Sequence, residues 1–230
     1  MAFQYENQMA EPAECWLREQ GLMVKQEFPT PWGICDLVGC SLNKNKVRQR
    51  LARKQTKPIR SQLRVHLLSL IPDETDRATV TIKQLHEHFG GYLDRGRIEL
   101  EVSRLARDRF IYEASPGTYF KRNGWMPLHK RLVAVELKLA RIDDALNQAI
   151  NNLGLADESY VGLPVDRAER LIESKRRHDF ANKGVGILAV QRNGCKVVLR
   201  PRKQRPAGEK TVQAYSVERF WLPYLKDNEA

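Results

Sequence analysis

From residue 132 to 139 the chain reads Leu-Val-Ala-Val-Glu-Leu-Lys-Leu, an apolar run broken by two opposite charges two residues apart. Strand side chains alternate faces, which sets Val133, Val135, Leu137 and Leu139 on one side and Leu132, Ala134, Glu136 and Lys138 on the other. Apolar runs predict further strands over 23–28, 34–38, 159–163, 185–190 and 196–200. The first two are joined by a turn marked by Pro29, Pro31 and Gly33. Apolar positions at helical spacing predict helices over 12–20, 142–153, 166–180 and 217–225. Pro12 suits a first helical turn, and Gly21 suits a C-terminal cap.

The middle of the chain has a rhythm of its own. Residues 43–57 are basic and poor in large apolar side chains, and read as a linker or arm. Helices follow over 58–70, 83–89 and 95–109, with a short strand at 79–82. A hairpin is predicted from 110–112 and 118–120 around Ser115-Pro116-Gly117. Asp94 can cap the helix over 95–109, whose inner face carries Ile98, Val102 and Leu105. Its opposite face carries Gly96, Ser103, Arg104 and Arg107.

With 230 residues and 42% hydrophobic content, the chain can bury a real core, which excludes global disorder. It has no apolar run long enough for a membrane-spanning helix and no apolar signal segment near Met1, so a cytoplasmic protein without membrane partners is expected. The four cysteines, at 15, 35, 40 and 195, form no paired motif; free thiols in a reducing compartment are expected rather than zinc. Net charge is +11, and its placement says more than its sum. Residues 41–131 hold 20 Lys and Arg against 9 Asp and Glu, while the remainder holds 19 of each. A one-sign block of this kind points to a polyanionic partner.

A carboxylate on a largely apolar strand is costly unless paired, hydrated or bound to metal. With a lysine two residues on, Glu136 suits metal-assisted phosphodiester chemistry. Taken in order, Asp36 in Ile34-Cys35-Asp36-Leu37-Val38, then Glu136-Leu137-Lys138, then Gln148 in Ala145-Leu146-Asn147-Gln148-Ala149 resembles the PD-(D/E)XK nuclease superfamily. The resemblance covers roughly residues 10 to 40 and 130 to 200, with Cys35 standing where proline is often found. It implies an α/β, restriction-endonuclease-like mixed central sheet flanked by helices. It also implies a metal-dependent DNA endonuclease using Mg²⁺ or Mn²⁺. Asp36 and Glu136 would supply carboxylate oxygens, joined by the Leu137 carbonyl. Lys138 would serve the attacking water, and Gln148 would orient phosphate, water or lysine. Glu14, on the first helix, reads as an ordinary exposed helix charge rather than a further ligand.

The segment between Asp36 and Glu136 resembles an inserted winged-helix DNA-binding domain. The resulting division is 1–42 and 124–230 for the nuclease core, 43–55 for a basic linker and 56–123 for the insertion. Arg97, Ser103, Arg104 and Arg107 would meet DNA from the 95–109 helix, and Lys121 and Arg122 from the wing. Lys44, Arg48, Arg53 and Lys54 would contact phosphates from the arm. Duplex DNA is the expected partner, and a homodimer is expected because cutting both strands commonly uses two active sites. Two other readings stand beside this one: a non-catalytic DNA-binding regulator on a nuclease-like fold, and an RNA-processing nuclease. The intact Asp, Glu and Lys set argues against the first. The narrow major groove of duplex RNA argues against the second.

Overall fold

A computed structural model describes residues 3–122, 128–202 and 210–228. After a 3₁₀ turn at Glu6–Met9 come α1 (Ala10–Glu19), β1 (Met23–Thr30), β2 (Gly33–Leu42) and α2 (Lys44–Ala52). Then follow α3 (Gln62–Leu70), β3 (Val80–Thr81), α4 (Ile82–His88), α5 (Arg95–Arg107), β4 (Ile111–Ser115) and β5 (Thr118–Lys121). The chain continues through β6 (His129–Leu137), α6 (Ile142–Asn152), β7 (Glu158–Pro164), α7 (Val165–Glu173) and α8 (Arg177–Lys183). It ends in β8 (Gly186–Gln191), β9 (Gly194–Leu199), α9 (Lys210–Glu218) and α10 (Trp221–Asn228).

The chain divides into two compact units. The first, within residues 1–41 and 129–213, is α/β. Its sheet has the order β1-β2-β6-β7-β8-β9, parallel across β6, β7 and β8 and antiparallel between β1 and β2 and between β8 and β9. Strand alternation sorts two apolar layers. Val133, Val135, Leu137, Tyr160, Leu188 and Val190 pack with Met9, Ala13 and Leu17 of the N-terminal helical segment. Val161, Leu163, Ile187 and Ala189 pack with α6, α7 and Phe180 of α8. Every residue of β7 is buried, as expected of a strand covered on both faces. Gly162 on that strand allows close approach to β6: a Cβ there would lie 2.6 Å from Leu137 Cδ2.

The second unit, within residues 42–128 and 214–230, has a small antiparallel sheet ordered β3-β5-β4, with helices around it. Side-chain caps start its helices: Ser61 accepts from Arg64 N, Thr81 from Gln84 N and Asp94 from Arg97 N. Val65, Leu68, Leu85, Ile98, Val102 and Leu105 form its core.

Three expectations change. Residues 43–55 are not a linker, because α2 occupies Lys44–Ala52, capped by the Asn43 side chain. Its buried residues are Val47 and Arg50, so apolar periodicity passes over it. Arg50 is paired with Glu218 at 2.6 Å, donates to the Gln55 and Lys57 carbonyls, and stacks 4.3 Å from the Trp221 ring. That contact also explains the second change: residues from 214 onward group with the insertion rather than with the sheet. Third, the helix expected over 217–225 is broken between α9 and α10, and the helix expected over 166–180 is two helices. Ser174 between them is extended at φ −83°, ψ 161°, and its hydroxyl donates back to the Leu171 carbonyl.

Candidate functional site

Asp36 and Glu136 come together at the C-terminal end of β6. Asp36 Oδ2 accepts the Leu137 N–H at 2.7 Å, which seats one carboxylate beside the residue carrying the other. Between Gln26 and Phe28, which pair with Leu37 and Cys35 on either side of Asp36, Glu27 takes φ +47°, a left-handed conformation unusual for a non-glycine residue. Such backbone strain is often found where a strand must aim a functional group.

Glu136 is 2% exposed. Its Oε1 accepts from Asn152 Nδ2 at 2.6 Å, whereas its buried Oε2 has no hydrogen-bond partner. Burial first, and then the Asp36 charge, push the Glu136 carboxyl up to about 7, against the opposing pull of Asn152, Cys35 and Lys138. Cys35 is buried beside it, 3.4 Å from Asn152 Nδ2. Burial, reinforced by the Glu136 and Asp36 charges, holds its thiol well above the ordinary range and therefore protonated.

Lys138 follows β6, its N–H donating to the Gly162 carbonyl at 3.0 Å. Its ammonium lies 3.4 Å from Glu6 Oε2, while Glu6 Oε1 accepts the Leu139 N–H at 3.1 Å. The N-terminal 3₁₀ turn thus fixes both the backbone and the charge at the end of β6.

Gln148 is exposed on α6, and no described hydrogen bond links it to Asp36, Glu136 or Lys138. Asn152, one turn later, shares the inner face with Ala145 and Ala149 and reaches Glu136 instead. Trp32, in the β1–β2 turn, donates its indole N–H to Asn152 Oδ1. Glu14 lies in a different network, accepting from Arg18 and from Gln26. Asn152, Trp32 and Glu6 were absent from the sequence expectation. A polar residue on the apolar face of 142–153 was the signal available for Asn152.

Among the described residues, no three His, Cys, Asp or Glu side chains gather as a ready metal site. Two carboxylates are nevertheless compatible with a Mg²⁺-like ion, which commonly keeps several waters and takes only one or two carboxylates. The orphaned buried Oε2 of Glu136 fits that use.

In the second unit, the α5 cations are largely engaged. Arg97 and Arg104 pair with the fully buried Glu101 at 3.6 and 2.8 Å, and Arg107 pairs with Asp108 at 3.1 Å. Ser103 donates to the Glu99 carbonyl. Arg122 stacks over Tyr112, 4.3 Å from its ring centre. Lys121 is half-buried, and desolvation lowers its pKa against the opposing charges of Asp73 and Asp76. On and after α2, Lys44, Arg48 and Lys54 are exposed, while Arg53 is half-buried and donates to the Gln49 carbonyl.

No protein-family profile matches the chain, and no curated protein does. Among solved structures, the chain is similar to SPO1766, a protein of unknown function from Silicibacter pomeroyi. The alignment has 10% identity and a TM-score of 0.43, covering 100% of this chain and 95% of that one.

Proposed function

We propose that this chain is a metal-dependent DNA endonuclease of the PD-(D/E)XK type, with its inserted segment acting as a winged-helix DNA-binding module. The observation that carries the reading is the buried Glu136 carboxylate, with one oxygen unpartnered and its acidity weakened by burial and the neighbouring Asp36 charge. Two carboxylates brought together from β2 and β6 against their mutual repulsion form a site that a cation would stabilise.

Asp36 and Glu136, with the Leu137 carbonyl, would hold Mg²⁺ or Mn²⁺. Such an ion, when bound, supplies polarisation of the phosphate and a lowered pKa for its water. The chain does the rest. Asn152 holds the Glu136 carboxylate in one orientation. Asp36 is fixed by the Leu137 N–H. Lys138, tethered by Glu6, supplies a positive charge beside the carboxylates where an attacking water can be oriented. Exposed cations of the basic segment would engage the phosphate backbone.

Supercoiled plasmid incubated with Mg²⁺ or Mn²⁺ should be nicked or linearised, and EDTA should stop this. Glu136→Ala should abolish cutting while leaving DNA binding in place. Undiminished cutting by that variant would sink the assignment.

A further inference from the structure

The second unit contains an open cavity of about 680 Å³ whose wall carries Lys57, Arg60, Arg64, Arg107 and Lys226. One carboxylate, Asp108, faces the same space. Three elements build it: the approach to α3 and its first turns, the C-terminal end of α5, and α10. The cations differ in how they are held. Arg64 is 14% exposed in its side chain and lies 2.7 Å from Glu101 Oε2 and 4.0 Å from Asp108 Oδ2. Lys57 and Arg107 sit 3.3 and 3.1 Å from Asp108 Oδ1. Arg60 and Lys226 make no ion pair among the described residues, and both are exposed. Even with Glu101 counted, cations exceed carboxylates around this space.

That arrangement combines a braced guanidinium deep in the wall with unpaired, extensible cations at the rim. It suits an anion with several acceptor oxygens, because planar guanidinium donors match phosphate geometry and ammonium groups add charge from the edge. Leu222 and Leu225 give one side an apolar surface, against which a sugar or base can lie. The volume exceeds that of a lone phosphate and falls within the range of pockets for larger organic ligands.

We propose that this cavity is a phosphate-ester site occupied by the backbone of a polynucleotide strand, and that α10 is part of the nucleic-acid-binding surface. The proposal rests on the DNA-binding part of the reading above and extends it. Arg60, Arg64, Lys57 and Lys226 join the contact residues, and a helix outside the basic middle segment supplies one of them. The polynucleotide is favoured over a free nucleotide because the cavity is open and its cations are spread over three elements, as a chain of phosphates requires.

The test uses the full chain in EDTA, so that binding is read without cutting. Affinity for a duplex oligonucleotide is measured across a salt series for the native protein and for Arg60→Ala/Lys226→Ala, which breaks no ion pair. The control is Arg167→Ala/Lys175→Ala, with the same charge removed from exposed positions outside the basic segment. The cavity variant should bind several-fold more weakly at low salt, and its log–log salt slope should flatten by about 1.8 if both residues contact phosphates. The control should bind as the native protein does. Native-like affinity and slope in the cavity variant would overturn the proposal and leave the Asp36–Glu136 reading standing. Failure of the native protein to bind duplex would also overturn it, while metal-dependent cutting is scored separately. A parallel arm titrates ADP. Tight ADP binding lost in the cavity variant, with duplex affinity unchanged, would assign the cavity to a free nucleotide and overturn the polynucleotide.

Discussion

The Trp32 indole N–H donates to Asn152 Oδ1 at 3.1 Å, and that one bond fixes which end of the amide meets Glu136. An indole nitrogen only donates, so it claims the amide oxygen and leaves Nδ2 for the carboxylate. Three separate stretches of chain are thereby tied together: the β1–β2 turn, the end of α6 and β6. The bond that Asn152 Nδ2 donates to Glu136 favours the charged form of that carboxyl, against burial and Asp36.

Asn152→Ala should therefore push the Glu136 pKa further above about 7. Loss of a hydrogen bond to a charged group corresponds to roughly one pKa unit or more. Carbon-detected NMR titration of the Glu136 side chain would read the shift directly. Trp32→Phe should move it less, because Asn152 can still donate.

Glu136 also predicts how stability depends on pH. Its carboxyl stands at about 7 in the folded chain against an ordinary value of 4.5. Below pH 4.5 both states hold the proton, and the raised pKa carries no penalty. As pH rises through the folded value of about 7, that stability is lost, ultimately by about 3 kcal/mol. Glu136→Gln does not titrate. In EDTA its melting temperature should exceed that of the native protein by a margin that widens from about pH 5 to about pH 8. A margin constant with pH would contradict a raised carboxyl.

Under the nuclease reading, Mg²⁺ or Mn²⁺ should raise the melting temperature of the native protein. Binding at a hundredfold excess over Kd contributes about 2.7 kcal/mol. The metal-induced rise should vanish in Asp36→Asn and in Glu136→Gln, whatever their starting stability. Differential scanning fluorimetry with and without metal measures this.

Arg50→Ala should destabilise the second unit by about 3–5 kcal/mol, because Glu218 is left charged and buried without its partner. Denaturant titration followed by tryptophan fluorescence reads it, with Trp16, Trp32 and Trp125 changed to Phe so that Trp221 reports alone. The double change Arg50→Met/Glu218→Leu should recover part of the loss: no charge stays buried, but the Ile59 N–H that Glu218 accepts from loses its partner.

The sheet was legible where period-two alternation is strong. Val133, Val135 and Leu137 do face one apolar layer, and Glu136 lies on the other side with Asn152. Asp94 does cap α5. What escaped was held by charge and amide chemistry. The α2 helix hid because one of its two buried side chains is an arginine. Its counter-charge, Glu218, lies 168 residues away, a distance no local pattern spans. Gln148 was named for the site on motif order alone; the helix turn that reaches Glu136 ends in Asn152. Glu6 precedes α1 and looks like an ordinary acidic residue until the fold brings it to Lys138. The α5 arginines read as free cations because Glu101, three or four residues away from Arg104 and Arg97, looked like another surface charge rather than their buried anchor.

The bond between Arg50 and Glu218 has a consequence for the order in which the protein can be made. Residues 42–128 and 214–230 form one unit, and residues 1–41 and 129–213 form the other, so the two interleave along the chain. On the ribosome, β1 and β2 must wait for β6, and Arg50 must wait for Glu218. Neither unit can complete its folding while only its first segment has been synthesised. Long-range closures of this kind slow folding and prolong the exposure of unfinished apolar surface. Excising 56–123 would not release an intact module; it would strand Arg50, Glu218 and Trp221 in what remains.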